Sequence, residues 1–160
     1  MHTALQPLAS ILALDTRLLE NCLAGLTDDT ARQRPAGQAN SAAFLAVHLV
    51  DARVYMLKLA GGDMPHPFGS RLDGVRAIDQ MTWYPTLEQI GTAWRDVSAR
   101  LTARLGELGD TELSARTNQK FPIGGDTVLD AIVFLAQHDA YHIGQLALLR
   151  RALGLPAMKY

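Results

Sequence analysis

The chain has 160 residues, a formal net charge of −1 and no block of Lys or Arg, so nucleic acid is not an expected partner. Its length suits a single domain, residues 1–160, which can bury a sizeable core without disulfides. No apolar run reaches the ~18 residues of a membrane span, and the N-terminal residues lack the pattern of a secretory signal. We therefore expect a cytoplasmic protein that does not enter the membrane.

The first predicted helix covers residues 5–26, where apolar side chains recur with the 3.6-residue period of a helix. Asp15 lies in or beside this stripe. Cys22, the only cysteine, lies within it and is interpreted as a core residue rather than a nucleophile. Residues 31–39, which include Pro35 and Gly37, are predicted to form a connector.

The second predicted helix covers residues 41–60, with Asn40 or Ser41 as the N-cap and Gly61 at its end. His48 lies in the middle of its apolar face. Residues 61–85 follow as a crossover that contains four of the 13 glycines and three of the seven prolines. Connections of this length are uncommon unless they join distant elements or form part of a site. The crossover predicts that helices two and three run parallel, with a short helical turn over residues 73–81.

The third predicted helix covers residues 86–108 and begins with a capping box of Thr86 and Gln89. A second connector, residues 110–125, leads to the fourth helix, residues 127–153. Asp130 is placed to reciprocate the Thr127 cap, and Gly154 begins the stop signal. Four amphipathic helices without a convincing strand predict an all-α four-helix bundle.

The fourth helix carries two histidines one turn apart, His138 and His142, in the middle of its predicted apolar face. The pattern places Asp139, Arg150 and Arg151 on the opposite, solvent side, and Arg53 is likewise interpreted as a surface charge. Burying an unpaired polar ring costs about 1–3 kcal/mol, so these imidazoles need partners. The face consists of Ala131, Phe134, Leu135, His138, His142, Gln145, Leu146 and Leu149.

A metal ion is the simplest partner, since histidines at i and i+4 can bind one centre and His48 can join them from helix two. Three neutral imidazoles suit Zn²⁺ or Ni²⁺, and also Fe²⁺, and they leave a coordination position open, as in catalytic sites. Four further side chains are candidates near the site. Gln145 could orient a ligand or be a packed polar residue, and Asp51 could accept a ligand N–H or be a solvated surface carboxylate. Asp15 is a similar candidate on helix one, and Tyr55 could line the open face.

Other metal classes fit the sequence less well. The zincin motif resembles the segment from His138 to His142, but Asp139 replaces the general-base Glu and no His, Asp or Glu follows His142. Di-iron bundles need Glu-x-x-His motifs, which are missing, and haem would leave a third inward histidine unused. His2 and His66 are interpreted as ordinary terminal and loop residues.

These motifs together resemble the DinB-like superfamily. The resemblance is carried by His48 within its apolar helix and, more specifically, by the run from His138 through Gln145, and it extends over essentially the whole chain. It implies a four-helix bundle of up-up-down-down connectivity, often a homodimer, with a divalent metal held by His48, His138 and His142. Relatives include transferases and isomerases that use low-molecular-weight thiols such as bacillithiol, mycothiol or glutathione, and stress-linked proteins without an assigned reaction.

Two functions are therefore expected to compete, beside a third interpretation in which the chain is a metal-free interaction module whose histidines find ordinary hydrogen-bond partners. The first is a metal-dependent enzyme of the thiol transferase, isomerase or hydrolase type, which activates a thiol or water for attack on a small-molecule substrate. The second is a non-catalytic metal-binding or stress-response protein, in which a fourth ligand closes the site or the metal is only structural.

Overall fold

The structure is a computed structural model that describes residues 1–37, 40–75 and 77–160. Within these ranges the chain is helical, with one isolated antiparallel bridge and no strand, which confirms the all-α prediction. Two of the connector positions, 38 and 39, and one position of the predicted turn, 76, lie outside the described residues. The α-helices are Gln6–Leu23 (α1), Asp28–Arg32 (α2), Ala42–Leu59 (α3), Leu87–Glu107 (α4), Asp110–Ser114 (α5) and Val128–Ala152 (α6). Short 3-10 helices are Thr3–Leu5, Pro35–Gly37, Gly69–Leu72 and Ile78–Gln80.

Three of the four long helices begin where side-chain caps were predicted. The Ser41 hydroxyl accepts a backbone N–H in the first turn of α3. Thr86 and Gln89 form a reciprocal capping box at α4, and Thr127 and Asp130 form another at α6. Each cap satisfies N–H groups that have no partner within the helix, so the helix starts are fixed by local sequence.

The crossover joins two parallel helices, as its length predicted. Arg53, in the middle of α3, donates to the Ser98 hydroxyl in the middle of α4 at 2.8 Å. Near the other end, Arg104 donates to the carbonyl of Ala60 at 2.8 Å. Sequence numbers increase together along the two helices, which therefore run in the same direction.

The other helix directions correct the up-up-down-down order implied by the resemblance. The Leu87 N–H, at the start of α4, donates to Asp28 just beyond the end of α1, so α1 and α4 are antiparallel. Arg150, near the end of α6, donates to the carbonyl of Cys22 at the end of α1, so those two are parallel. Combined with the parallel pair α3 and α4, the order is up-down-down-up. The physical reason is that the long crossover carries the chain back to the end of the bundle at which α3 began, so α4 starts there. The two shorter connectors instead reverse the direction of the chain.

Several charged side chains predicted on the surface are buried instead. Arg53 is 1% exposed, Asp139 is fully buried and Arg150 is 9% exposed, whereas Arg151 is exposed as predicted. The buried face of α6 is rotated by about one residue position from the predicted one, because α6 packs on both α1 and α3. His138 and His142 consequently lie at the edge of this face, half-buried.

The core fills the space between the four long helices, with Trp94 fully buried within it. Cys22 is buried in this core, as predicted. None of the helices in the described parts of the chain combines the length and apolar character that a membrane crossing requires. The largest fully buried apolar side chains are Trp94, Leu5, Leu19, Leu45, Leu49, Met56, Ile90, Leu101, Leu105, Ile132 and Leu146.

Candidate metal centre

The fold brings the three predicted histidines together from two neighbouring helices. His48 projects from α3 and meets His138 and His142 from the antiparallel α6. The Nε2 atoms of His48 and His138 are 3.0 Å apart, and one ring nitrogen of each of the three residues lies within 4.8 Å of the others. The three rings contact one another edge to face, with centroids 4.4 to 4.9 Å apart.

Gln145 fixes the orientation of His142. Its Oε1 lies 2.7 Å from Nδ1 of that ring. An amide oxygen can only accept, so Nδ1 carries the proton and donates it. The Nε2 lone pair of His142 is then free on the other side of the ring, which is the arrangement that metal-binding histidines adopt with their outer hydrogen-bond partners.

Burial keeps the imidazoles of His48 and His142 uncharged near neutral pH. It lowers the pKa of His48 to about 4, and the neighbouring His138 and His142 rings lower that pKa further. Burial also lowers the pKa of His142, although its hydrogen bond to Gln145 acts in the opposite direction. Neutral imidazoles retain the lone pair that a metal ion needs, so these two rings are already in their ligand form.

The dimensions of the cluster suit a divalent ion. With Zn–N bonds of about 2.0–2.1 Å, a tetrahedral site separates its nitrogen ligands by about 3.3–3.4 Å. The observed separations, from 3.0 Å to at most 4.8 Å, span this value, so small ring rotations are sufficient. Within the described ranges, no Asp, Glu or Cys joins the three histidines. The cluster could therefore hold one ion with three protein ligands.

A cavity of about 370 Å³ adjoins the cluster on the His48 side. One wall is the α3 face that carries His48, and the other is the long crossover. The crossover is thus part of the candidate site as well as a connection, which accounts for its length. The lining residues are Phe44, Val47, His48, Asp51, His66, Leu72, Asp73, Gly74, Val75 and Met81.

The remaining candidates take different places. Asp51 lines the cavity, and its Oδ1 lies 3.2 Å from Nε2 of His66, which ties the crossover to α3. Tyr55 does not line the open face, because it lies two turns, about 10 Å, beyond His48 along α3 and its hydroxyl contacts Gln119. His2, near the N-terminus, pairs with Asp110, the first residue of α5.

A buried ionic network behind the histidines was not predicted. Arg53 Nε donates to Oδ2 of Asp139 at 2.7 Å, and the Arg53 guanidinium lies 4.0 Å from the centre of the Trp94 ring. Asp15, 3% exposed, belongs to the same charge cluster; burial and the Asp139 charge raise its pKa to about 6, against the opposing effect of Arg53. The sequence signal was Asp139 itself, an acidic residue directly beside a buried histidine.

Comparison with known proteins identifies the family of this chain. The DinB superfamily profile matches residues 11–146, and the chain belongs to that superfamily. No match to a curated protein was found. These findings define the protein as a DinB-fold helical bundle with a three-histidine cluster that could hold a metal ion.

Three solved structures share the fold over nearly their whole length. A conserved protein from Enterococcus faecalis has a TM-score of 0.73 and 17% identity, covering 96% of this chain and 98% of that one. A DinB-like protein from Bacillus cereus has a TM-score of 0.69 and 20% identity, covering 98% and 95%. A DinB-like protein from Bacillus subtilis has a TM-score of 0.63 and 14% identity, covering 99% and 97%.

Proposed function

We propose that this protein is a metal-dependent enzyme that holds a divalent ion with His48, His138 and His142. The observation that carries the proposal is the composition of the cluster, which has three imidazoles and no carboxylate or thiol as a fourth ligand within the described residues. Structural metal sites are closed by four protein ligands, whereas catalytic sites keep one position for solvent or substrate. The adjoining cavity is lined by one of the three histidines, His48.

The side chains of the site would have separate roles. The three Nε2 atoms would hold the ion, and Gln145 would keep the His142 ring in its ligand orientation. The ion itself would lower the pKa of a coordinated thiol or water, and so supply a nucleophile at neutral pH. Imidazole ligands suit Zn²⁺ or Ni²⁺ and also Fe²⁺.

A small molecule is the substrate that fits the site. A volume of about 370 Å³ is at the lower end of the roughly 300–1,000 Å³ usual for small-molecule pockets. Membership of the DinB superfamily supports a low-molecular-weight thiol as one reactant, attacking an electrophilic second substrate. A hydrolytic reaction uses the same machinery with water in place of the thiol.

Metal content is the first test. Protein purified without a polyhistidine tag or chelators is expected to contain about one equivalent of zinc or nickel. The variant His138→Ala should lose it, and His2→Ala, a terminal histidine remote from the cluster, should retain it. A wild-type protein that is empty and gains no thermal stability with added Zn²⁺ or Ni²⁺ would contradict the proposal.

Turnover separates the enzyme from a metal-binding protein without activity. Metal-loaded protein is incubated with a panel of small thiols and an electrophile, and separately with hydrolysable esters and amides. The proposal expects a rate that His48→Ala abolishes. Bound metal without turnover of any substrate would instead favour the binding or stress-response function.

A further inference from the structure

Three buried polar atoms behind the histidine cluster have no hydrogen-bond partner within the described residues. They are Nδ1 of His138, Oδ1 of Asp139 and Oδ2 of Asp15. Asp139 is fully buried and Asp15 is 3% exposed. Most buried polar atoms in native proteins are paired, so three together on neighbouring side chains need an explanation.

Two of these atoms belong to consecutive residues of α6, and the third lies on α1 beside the residues that Arg53 contacts. Asp139 is held by its other oxygen, because Oδ2 accepts from Arg53 Nε at 2.7 Å, and this leaves Oδ1 for a different partner. His138 Nδ1 lies 3.9 Å from that Oδ1, which is too far for a direct hydrogen bond. Asp15 lies on α1 between Leu12 and Thr16, which both accept hydrogen bonds from Arg53, the partner of Asp139.

We propose that one buried water molecule links these three atoms, accepting the Nδ1–H of His138 and donating to Asp139 Oδ1 and Asp15 Oδ2. A water molecule has two donor hydrogens and can accept a third bond, which matches one ring N–H and two carboxylate oxygens. Buried waters in proteins typically make about three such bonds with otherwise unpaired groups.

The link makes Asp15 and Asp139 positioning residues for the metal centre, so this inference rests on the proposed function. With its proton held on Nδ1, His138 presents Nε2 towards Nε2 of His48, where the ion would bind. Carboxylates that hold the outer N–H of a ligand histidine fix its tautomer and raise its basicity. His138 would then be supported through water, as His142 is supported directly by Gln145.

The inference extends the site to α1, which contributes no histidine to the cluster. Arg53 joins Asp139 to α1, since its Nη atoms donate to Thr16 Oγ1 and the Leu12 carbonyl on that helix. The ligand ring of His138 is thereby tied to the α1 backbone. Metal affinity should depend on a side chain that never touches the ion.

The first test measures metal affinity in variants of Asp15. Asp15→Leu removes the acceptor and should weaken Zn²⁺ or Co²⁺ binding by about 10- to 100-fold, measured by competition with a chelator. Asp15→Asn retains an amide oxygen and should lose less. The matched control is Ser98→Ala, which removes a different acceptor from the same Arg53 network and should change affinity by about twofold at most.

The second test needs no metal. Imidazole ¹⁵N chemical shifts of the metal-free protein should show His138 as the Nδ1–H tautomer in the wild type and as a mixture in Asp15→Leu. Urea unfolding of the same samples reports any purely structural effect. Unchanged metal affinity and tautomer in both Asp15 variants would overturn the inference, as would an affinity loss in Ser98→Ala equal to that of Asp15→Leu.

The two proposals can fail separately. A wild type that binds no metal but shows the Asp15-dependent Nδ1–H tautomer would refute the metal-dependent function and retain the water link. A wild type that binds metal, but whose His138 is the Nε2–H tautomer in the metal-free state, would retain the metal-dependent function and refute the water link.

Discussion

Replacing Arg53 by Met is expected to cost more stability than any exposed arginine substitution, because it leaves Asp139 buried without its partner. Asp139 and Arg53 are 0% and 1% exposed, and the Nε to Oδ2 distance is 2.7 Å. Removing one member of a buried ion pair typically costs about 3–5 kcal/mol. The other acceptors add less, since the Thr16 and Ser98 hydroxyls can turn to new partners. Native domains have a total free energy of unfolding of about 5–15 kcal/mol, so the variant should be marginally stable.

The assay is urea unfolding of metal-free protein, followed by far-UV circular dichroism. Arg151→Met is the matched control, since this arginine is exposed on the same bundle and should change the free energy of unfolding by about 0.5 kcal/mol or less. The double variant Arg53→Met with Asp139→Leu removes both charges. Its free energy of unfolding should fall by clearly less than the sum of the losses in the two single variants, because neither charge then remains unpaired.

A loss of less than about 1 kcal/mol in Arg53→Met, with an unchanged dependence on urea, would contradict the burial of an unpaired Asp139. That outcome would mean that solvent reaches Asp139. Additivity in the double variant would also contradict it, since additive losses indicate that the two side chains do not interact.

Three further outcomes are expected. Gln145→Leu removes the acceptor of the His142 N–H and should weaken Zn²⁺ affinity by about 10- to 100-fold in a chelator competition. In the metal-free protein, His48 should contribute a loss of stability on acidification between about pH 6.5 and 4, because the unfolded chain protonates His48 at 6.5 and the folded chain only at about 4. Asp15 acts in the opposite direction, because its pKa rises from 3.8 to about 6 on folding and its protonation therefore stabilises the folded state. Asp15→Asn should consequently increase the loss of stability on acidification by up to about 3 kcal/mol. Burial raises the pKa of Cys22 to about 11, and a thiol-reactive dye at pH 8 should label it only after unfolding.

Each of these has a control or a contrary result. Gln137→Leu, on the exposed side of α6, should leave Zn²⁺ affinity unchanged. If the free energy of unfolding of Asp15→Asn fell less on acidification than that of the wild type, the predicted sign of the Asp15 contribution would be wrong. Rapid dye labelling of the native protein would show that Cys22 is accessible.

The sequence by itself determined the four long helices and the starts of three of them. The caps at Ser41, Thr86 and Thr127 act within a single turn, so the residues concerned are close in the chain and readable from it. The spacing of His138 and His142 is equally local, because i and i+4 always share a helix face. These features required no knowledge of which helices are neighbours.

Only the tertiary structure decided what those faces contact. His48 comes within 3.0 Å of His138 because α3 and α6 are packed antiparallel neighbours, and this pairing follows from an up-down-down-up order that local spacing does not specify. Arg53 and Asp139 look like surface residues on separate helices. They are buried because each supplies the opposite charge that the other needs, and that compensation exists only once the four helices are packed together.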